Sequence, residues 1–438
     1  DATPFPGLAA LVPVLGTLAV IYAAAPARAW APMPLLRLAP VQFVGDTSYS
    51  IYLWHWPLLT FAPFVIHTKL TTSTTFIVLM LTLLIAWLSK TFVEDPIRKR
   101  SFLVRRPLGW TFGCGAGAMA LVMGVALGGS SYVQAKTHKQ VVSSQHAIAA
   151  APACFGAATL APEHPCHNPK LATMVVPTPL AAASMPNAPC LSVRIEGAIY
   201  ICGFGYQGAH PRATVALIGD SHASMWRAAL QVLAEREHWR GVSLTHTSCA
   251  LSTKTPEISE PSRSSCEAWK RQLRSWLAAR PAVSIAFVSA HTGGRVLESE
   301  GLGQFHEKEQ GYLGAWRTLL PASVRHVIVI RDTPEITGDT LTCVQQALSR
   351  HEDAGVVCEL PRASELGADP EVAAAQQLRS PRVQAVDLTQ FFCDSRWCWP
   401  VIGGALVYKD VSHLTTTYAA TLAPYLQKDI NALLSAGS

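Results

Sequence analysis

Two short stretches hold residue types that can carry acyl-transfer chemistry. One is Gly219-Asp220-Ser221-His222, which directly follows the apolar run Val215-Ala216-Leu217-Ile218. The other is Asp410-Val411-Ser412-His413, an aspartate and a histidine with two residues between them. A serine on a sharp turn after a strand presents its hydroxyl at the strand's end. Backbone N–H groups of a following helix can then stabilise an oxyanion beside it. An aspartate three positions before a histidine can bind one ring nitrogen and leave the other to take the serine proton. Each stretch alone also reads as a helix cap, because Ser and Asp both favour that position. The two together supply nucleophile Ser221, base His413 and orienting acid Asp410.

The surrounding sequence must bring these stretches to one place. From residue 213 onward, candidate strands at 214–218, 242–245, 284–288, 326–330 and 383–388 alternate with helix-like stretches at 223–237, 264–279, 305–319 and 370–379. A last helix is expected from about 413 to 434. Apolar strands alternating with helices predict an α/β domain with a parallel sheet covered on both faces. Ligand sites in such sheets lie at the carboxyl ends of strands, where Ser221 falls. Of the histidines near predicted strand ends, His210, His222 and His246 read as surface or structural residues, and His291 is the one to watch.

The rest of the chain is very different. Half of the 438 residues are apolar and 15% are charged, and the apolar residues crowd into the first third. Four runs, at 8–25, 49–66, 75–88 and 108–127, approach the roughly 20 residues that span a bilayer. The basic cluster at residues 98–106 should be cytoplasmic by the positive-inside rule, which sends residues 133–438 outside. Ten cysteines agree with an oxidising compartment: Cys154, Cys166, Cys190, Cys202, Cys249, Cys266, Cys343, Cys358, Cys393 and Cys398. They contain no Cys-x-x-Cys pair of the kind a zinc site uses, so no metal is expected. Pairing of sequence neighbours is the simplest connectivity. The net charge of +6 comes without an aromatic-interleaved basic patch, which argues against a nucleic-acid partner.

Three regions follow. Residues 1–132 are transmembrane helices, the last of them a linking helix. Residues 133–210 are an Ala/Pro/Cys-rich connector without long regular elements, and residues 211–438 are the catalytic domain. The chain begins at Asp1 without a leader pattern and reads as the C-terminal part of a longer membrane protein.

The sequence resembles two known families. Gly219-Asp220-Ser221-His222 and Asp410-Val411-Ser412-His413 look like the first and last blocks of SGNH hydrolases, which implies an SGNH-like three-layer α/β domain. Residues 43–58 (FVGDTSYSIYLWHWPL) and Val93-Glu94-Asp95-Pro96-Ile97-Arg98 are similar to signatures of acyltransferase family 3 membrane proteins, some of which carry a C-terminal extracytoplasmic SGNH domain. The Cys249/Cys266 and Cys393/Cys398 spacings fit the same resemblance. It implies an O-acyltransferase, usually an O-acetyltransferase, acting on a glycan or glycolipid of the bacterial surface. The protein would sit as a multi-pass protein in the inner membrane, with acetyl-CoA or another acyl-CoA as donor to the full-length protein and no bound cofactor. The missing N-terminal spans of the same protein and the bilayer are its implied partners.

Two departures from the family pattern stand out. The SGNH middle blocks supply a Gly and an Asn to the oxyanion hole, and neither has a clear match here. The Ser221 N–H would need a donor near Ser248 or Gly293. The spans in which the family's proposed catalytic His and basic residues sit are absent. Within the retained spans His55 is a functional candidate or an interfacial anchor, and Glu94 and Arg98 either meet a CoA phosphate or form a structural ion pair. The competing functions are an extracytoplasmic esterase with the same triad and a non-catalytic glycan-binding domain.

Overall fold

A computed structural model describes residues 10–22, 36–66, 71–98, 107–149, 152–163, 166–298 and 301–436. The chain divides into two units, residues 1–129 and 130–438.

In the first unit helices α1 (Leu11–Tyr22), α2 (Ala39–Ile66) and α3 (Thr72–Ser89) are followed by a wide π turn, Lys90–Glu94, and one helical turn, Asp95–Arg98. Thr71 opens α3 with a reciprocal capping box to Thr74. Among the described residues, the buried ones of α2 and α3 are Thr47, Ser50, Val78, Thr82 and Ala86, while Leu53, Phe61, Phe76, Leu79 and Leu84 are exposed. Small residues inside and large apolar residues outside are the pattern of helices that meet in lipid. Helix α4 runs from Leu108 to Ala149. Among the described residues, Thr72–Ile97 and Leu108–Ala135 are long and apolar enough to cross a membrane. The expected span at 8–25 lies partly outside the described residues, and residues 99–106 of the basic cluster lie outside them. Helix α2 covers the expected span at 49–66 but begins ten residues earlier, through the polar Asp46, Thr47 and Ser48.

The second unit is built on one sheet. Its strands are β1 (Ser192–Glu196), β2 (Ile199–Gly205), β3 (Ala213–Gly219), β4 (Trp239–Thr245), β5 (Val283–Ser289), β6 (His326–Ile330) and β7 (Val383–Val386). They lie in the order β1-β2-β4-β3-β5-β6-β7. The pairs from β4 to β7 are parallel, while β1 and β2 add an antiparallel edge. Helices α5 (Ser221–Met225), α6 (Arg227–Arg236), α7 (Ser262–Ala278), α8 (Gln304–Thr318), α9 (Thr340–Arg350), α10 (Pro370–Leu378), α11 (Thr416–Thr421) and α12 (Ala423–Ala436) accompany it. One core joins Leu217, Trp226, Leu230, Phe287 and Tyr418, and a second, on the other face, joins Ile218, Trp269, Leu273, Val288 and Trp316. The alternation of Leu217 and Ile218 between the two cores is why β3 reads as an unbroken apolar run.

The structure departs from the sequence expectation in three places. Helix α4 carries on 22 residues past the expected span at 108–127 and into the Ala/Pro-rich connector. Residues 192–205 of that connector form the β1–β2 hairpin of the main sheet. Its loop is Gly197-Ala198, with Gly197 at φ +60°, a backbone state that glycine reaches without strain. The last helix begins at Thr416, capped by Thr415, so Asp410–His413 forms a turn before it and not its first turn.

The ten cysteines pair as Cys154–Cys166, Cys190–Cys202, Cys249–Cys266, Cys343–Cys358 and Cys393–Cys398, and Cys114 is free.

The parallel order makes β3 the switch point. The chain leaves β3 for β4 on one side, then crosses to β5 on the other, opening a crevice at their carboxyl ends. Gly219 ends β3 at φ +145°, and a Cβ there would lie 2.3 Å from the Ser289 carbonyl oxygen of β5. Both strain and overlap oppose any side chain, so Gly219→Ala is expected to destabilise the protein by about 2 kcal/mol or more. Thermal unfolding of the purified variant against wild type checks this.

Candidate active site

The carboxyl ends of four parallel strands supply the site. Asp220 and Ser221 follow β3, residues 246–248 follow β4, His291 and Thr292 follow β5, and Asp332 and Thr333 follow β6. The turn at residues 410–413 closes the arrangement from the far end of the chain.

Asp220 caps α5. Its Oδ1 accepts from the His222 N–H at 2.8 Å, and its Oδ2 accepts from the His291 N–H at 3.0 Å. One buried carboxylate thus fixes the start of the Ser221 helix against the loop after β5. Burial pushes its pKa up, although nearby His222 and the two N–H groups pull the other way. Ser221 stands half-buried at the first position of α5 and borders a cavity of about 160 Å³.

Asp410 organises the opposite wall. Its Oδ1 accepts from the backbone N–H groups of Ser412 and His413, at 3.0 and 2.8 Å. Its two oxygens also lie 2.9 and 3.0 Å from His413 Nδ1. Partial burial opposes its charge, but the His413 ring and these N–H groups prevail and hold the carboxyl well below the usual range. The Nδ1 contact makes Nε2 the nitrogen that can accept a proton. His413 Nε2 is buried and, among the described residues, has no hydrogen-bond partner. It therefore makes no hydrogen bond to Ser221, though the turn is seated beside the serine's helix: the Leu414 N–H points at Met225 Sδ at 3.4 Å.

A second histidine–carboxylate pair joins the two walls. His222, next to Ser221, places Nδ1 2.6 Å from Asp332 Oδ1, with both side chains about 1% exposed. Its Nε2 lies 3.2 Å from Ser412 Oγ, inside the Asp410–His413 turn. Asp332 Oδ2 accepts from the Thr292 N–H and hydroxyl at 2.7 and 3.1 Å, and the Asp332 N–H donates to Asp369 at 2.9 Å. Burial disfavours the imidazolium, but Asp332 outweighs it and raises the His222 pKa. Burial likewise opposes the Asp332 charge, and His222 with the Thr292 N–H lowers its pKa. A third pair stands beyond: His291 Nε2 lies 2.7 Å from Glu335, and its ring stacks on His222 at 4.2 Å between centroids. His413 also lies near His222, at 4.8 Å between centroids. Two imidazoles thus neighbour His222, and each of the three has its own carboxylate.

Of the oxyanion candidates, Ser221 and Ser248 border the cavity and Gly293 does not; Gly294 does. A Cβ at Gly293 would come within 3.0 Å of both His291 and Glu335, so its lack of a side chain leaves room for that pair. Ser248 sits in the left-handed region at φ +56°.

In the membrane-type unit, His55 Nδ1 meets the carbonyls of Ile51 and Tyr52 on its own helix at 3.2 and 2.7 Å. Ser50 donates to Glu94 at 3.3 Å, which ties the stretch at 43–58 to the stretch at 93–98. The Arg98 side chain lies outside the described residues.

Sequence reasoning missed the roles of Asp332, Glu335 and Ser412, and read Asp220 only as a possible cap, without its second bond to the loop after β5. A signal for Asp332 exists: it follows the apolar run at 326–330 by two positions, as Asp220 follows the run before it.

This fold and site define an α/β domain with a serine at the carboxyl end of a central parallel strand, faced by an Asp–His turn. Residues 189–428, more than half of the chain, match the family described as the SGNH domain fused to AT3 domains, and the chain belongs to that family. It is 37% identical over 68 residues to O-acetyltransferase OatA of Staphylococcus aureus, covering 15% of this chain and 11% of that protein. It is 36% identical over 70 residues to peptidoglycan O-acetyltransferase OatA of Listeria monocytogenes, covering 16% and 11%. The chain thus spans about a tenth of the length of these curated relatives. The periplasmic domain of the lipopolysaccharide acetyltransferase of Salmonella ser. Paratyphi A aligns at 12% identity and a TM-score of 0.38, over 50% of this chain and 83% of that one.

The buried His222–Asp332 pair sets a pH dependence. The His222 pKa is raised, so its share of stability is present below about pH 6.5 and lost as the pH climbs through the raised value. The Asp332 pKa is lowered, so its share is present above about pH 3.9 and lost as the pH falls through the lowered value. Asp332→Asn is expected to cost about 3 kcal/mol between those limits, because it leaves a buried imidazolium without its partner. The deficit should shrink toward pH 9. Thermal unfolding at pH 5.5 and pH 9 measures both values.

Proposed function

We infer that the protein is an O-acyltransferase, most simply an O-acetyltransferase, that esterifies hydroxyls of an extracytoplasmic cell-surface glycan at Ser221. The observation that carries this reading is His413. Asp410 occupies its Nδ1 and leaves a buried Nε2, without a partner among the described residues, beside the helix that starts at Ser221. A nitrogen so held is a base awaiting a proton donor.

In the first step Ser221 Oγ attacks the acyl carbonyl and its proton passes to His413 Nε2. The leaving group departs with that proton, and an acyl-serine remains. In the second step a glycan hydroxyl gives its proton to Nε2, and its oxygen attacks the acyl carbon. Ser221 leaves as the alcohol by taking the same proton back. The N–H groups at the start of α5, with a donor near Ser248, would face the oxyanion.

The donor is an acyl-CoA used on the cytoplasmic side by the complete membrane part, which relays the acyl group outward. Helices α1 and α2 would complete a set of four spans with the two long apolar helices. Export of the Ser221 domain fits its five disulfides. The relatives named as O-acetyltransferases support transfer to a glycan over transfer to water.

Ser221→Ala in the full chain should abolish acetyl ester on the surface glycan, read by NMR of glycan from a producing strain. His413→Ala should slow turnover of p-nitrophenyl acetate by the purified protein about 100- to 10,000-fold. Glycan ester that is unchanged in Ser221→Ala removes the serine from the mechanism. Ester that falls when the wild type is expressed identifies a hydrolase.

A further inference from the structure

The Ser221 cavity has a neighbour. Two residues of its wall, Ser248 and Ile258, also border a second, more open groove of about 690 Å³. That groove runs between the turn after β4, with His246 and Thr247, and the start of α7, with Ser259 just before the helix and Ser262 and Ser265 in its first turn. Its volume lies within the roughly 300–1,000 Å³ of sites that hold small ligands.

The two spaces differ in chemistry. Lys254, Lys270, Arg295 and Lys308 border the Ser221 cavity. Among the described residues no carboxylate, ammonium or guanidinium lines the groove, whose polar lining is hydroxyls and one imidazole. A hydroxyl both donates and accepts, so such a wall matches sugar hydroxyls in either sense without selecting a charge.

The groove is also fixed relative to the nucleophile. The His246 N–H donates to the carbonyl of Gly219, two residues before Ser221, at 2.9 Å. Across the groove, His246 Nε2 lies 2.9 Å from Ser265 Oγ, and the Cys249–Cys266 disulfide joins the same two walls. A wall held at three points to the strand end and to α7 needs little ordering when a ligand arrives, which favours binding.

We propose that this groove is an acceptor subsite, holding a neutral sugar residue of the glycan next to the residue whose hydroxyl is acylated at Ser221. The proposal rests on the acyl-transfer reading and adds where the acceptor chain runs and what charge it carries there. Ser248, common to both spaces, then marks the junction between the acylated sugar and its neighbour.

Ser259 and Ser262 are exposed, so bulky residues fit there without disturbing the core. The full chain carrying Ser262→Trp, and separately Ser259→Trp, is compared with wild type in two assays. One is acetyl ester on the surface glycan by NMR; the other is p-nitrophenyl acetate turnover by the purified protein, which needs no glycan. Blocking the groove should lower glycan ester at least tenfold in both variants and leave small-ester turnover within twofold. Ester unchanged in both variants overturns the subsite. A parallel fall in both assays overturns it too, because the groove would then act on Ser221 itself. Ser262→Asp and Ser262→Lys test neutrality: similar glycan ester in the two supports it, and a tenfold gain of Lys over Asp overturns it in favour of an anionic sugar. Ser221→Ala separates the two levels, since full glycan ester in that variant sinks the acyl-transfer reading whatever the groove variants do.

Discussion

The site depends on the contact between His222 and Asp332. Each group taken alone is a liability in a dry interior, since an uncompensated buried charge costs several kcal/mol. Together they are tolerable, and the remaining polar atoms of the pair have no solvent to turn to. They bind Thr292 after β5, Asp369 before α10 and Ser412 in the turn near the C-terminus. Elements from distant parts of the chain are thus brought to one point because one ion pair must be fully satisfied there. The serine's helix and the histidine's turn are both attached to that point, which fixes their separation without a direct bond between them.

Asp220 performs the corresponding task at the surface of the sheet. Its two oxygens hold N–H groups on either side of the β3–β5 crevice, so the crevice cannot widen without breaking a buried hydrogen bond. Gly219 acts in the opposite sense, because its missing side chain lets β3 and β5 stay close. The carboxylate prevents separation and the glycine permits approach. In the membrane-type unit, Ser50 and Glu94 make a similar link between separate stretches of chain.

Much of this was legible in the sequence. The runs at 214–218, 242–245, 284–288 and 326–330 have the apolar texture of strands covered on both faces, and each lies within an observed strand. Ser221 was legible because its turn follows such a run directly. What stayed hidden was pairing at a distance. Asp332 is one aspartate among many until β6 is laid two strands from β3, and His222 reads as a helix residue until its ring has a partner. The β1–β2 hairpin was obscured by Ala- and Pro-rich neighbours, although Gly197 marked its turn. The room that Gly293 leaves for His291 and Glu335 is likewise a matter of packing, which sequence spacing does not reveal.

The disulfides have a consequence for how the domain is made. Their partners are separated by 12, 12, 17, 15 and 5 residues, and no pair encloses or interleaves with another. A chain appearing residue by residue from its N-terminal side therefore completes each bridge before the next pair begins to emerge. At every stage the nearest available thiol is the correct one. The order of cysteines along the sequence is itself the pairing instruction, and the domain can be oxidised in sequence with little need to reshuffle wrong bonds.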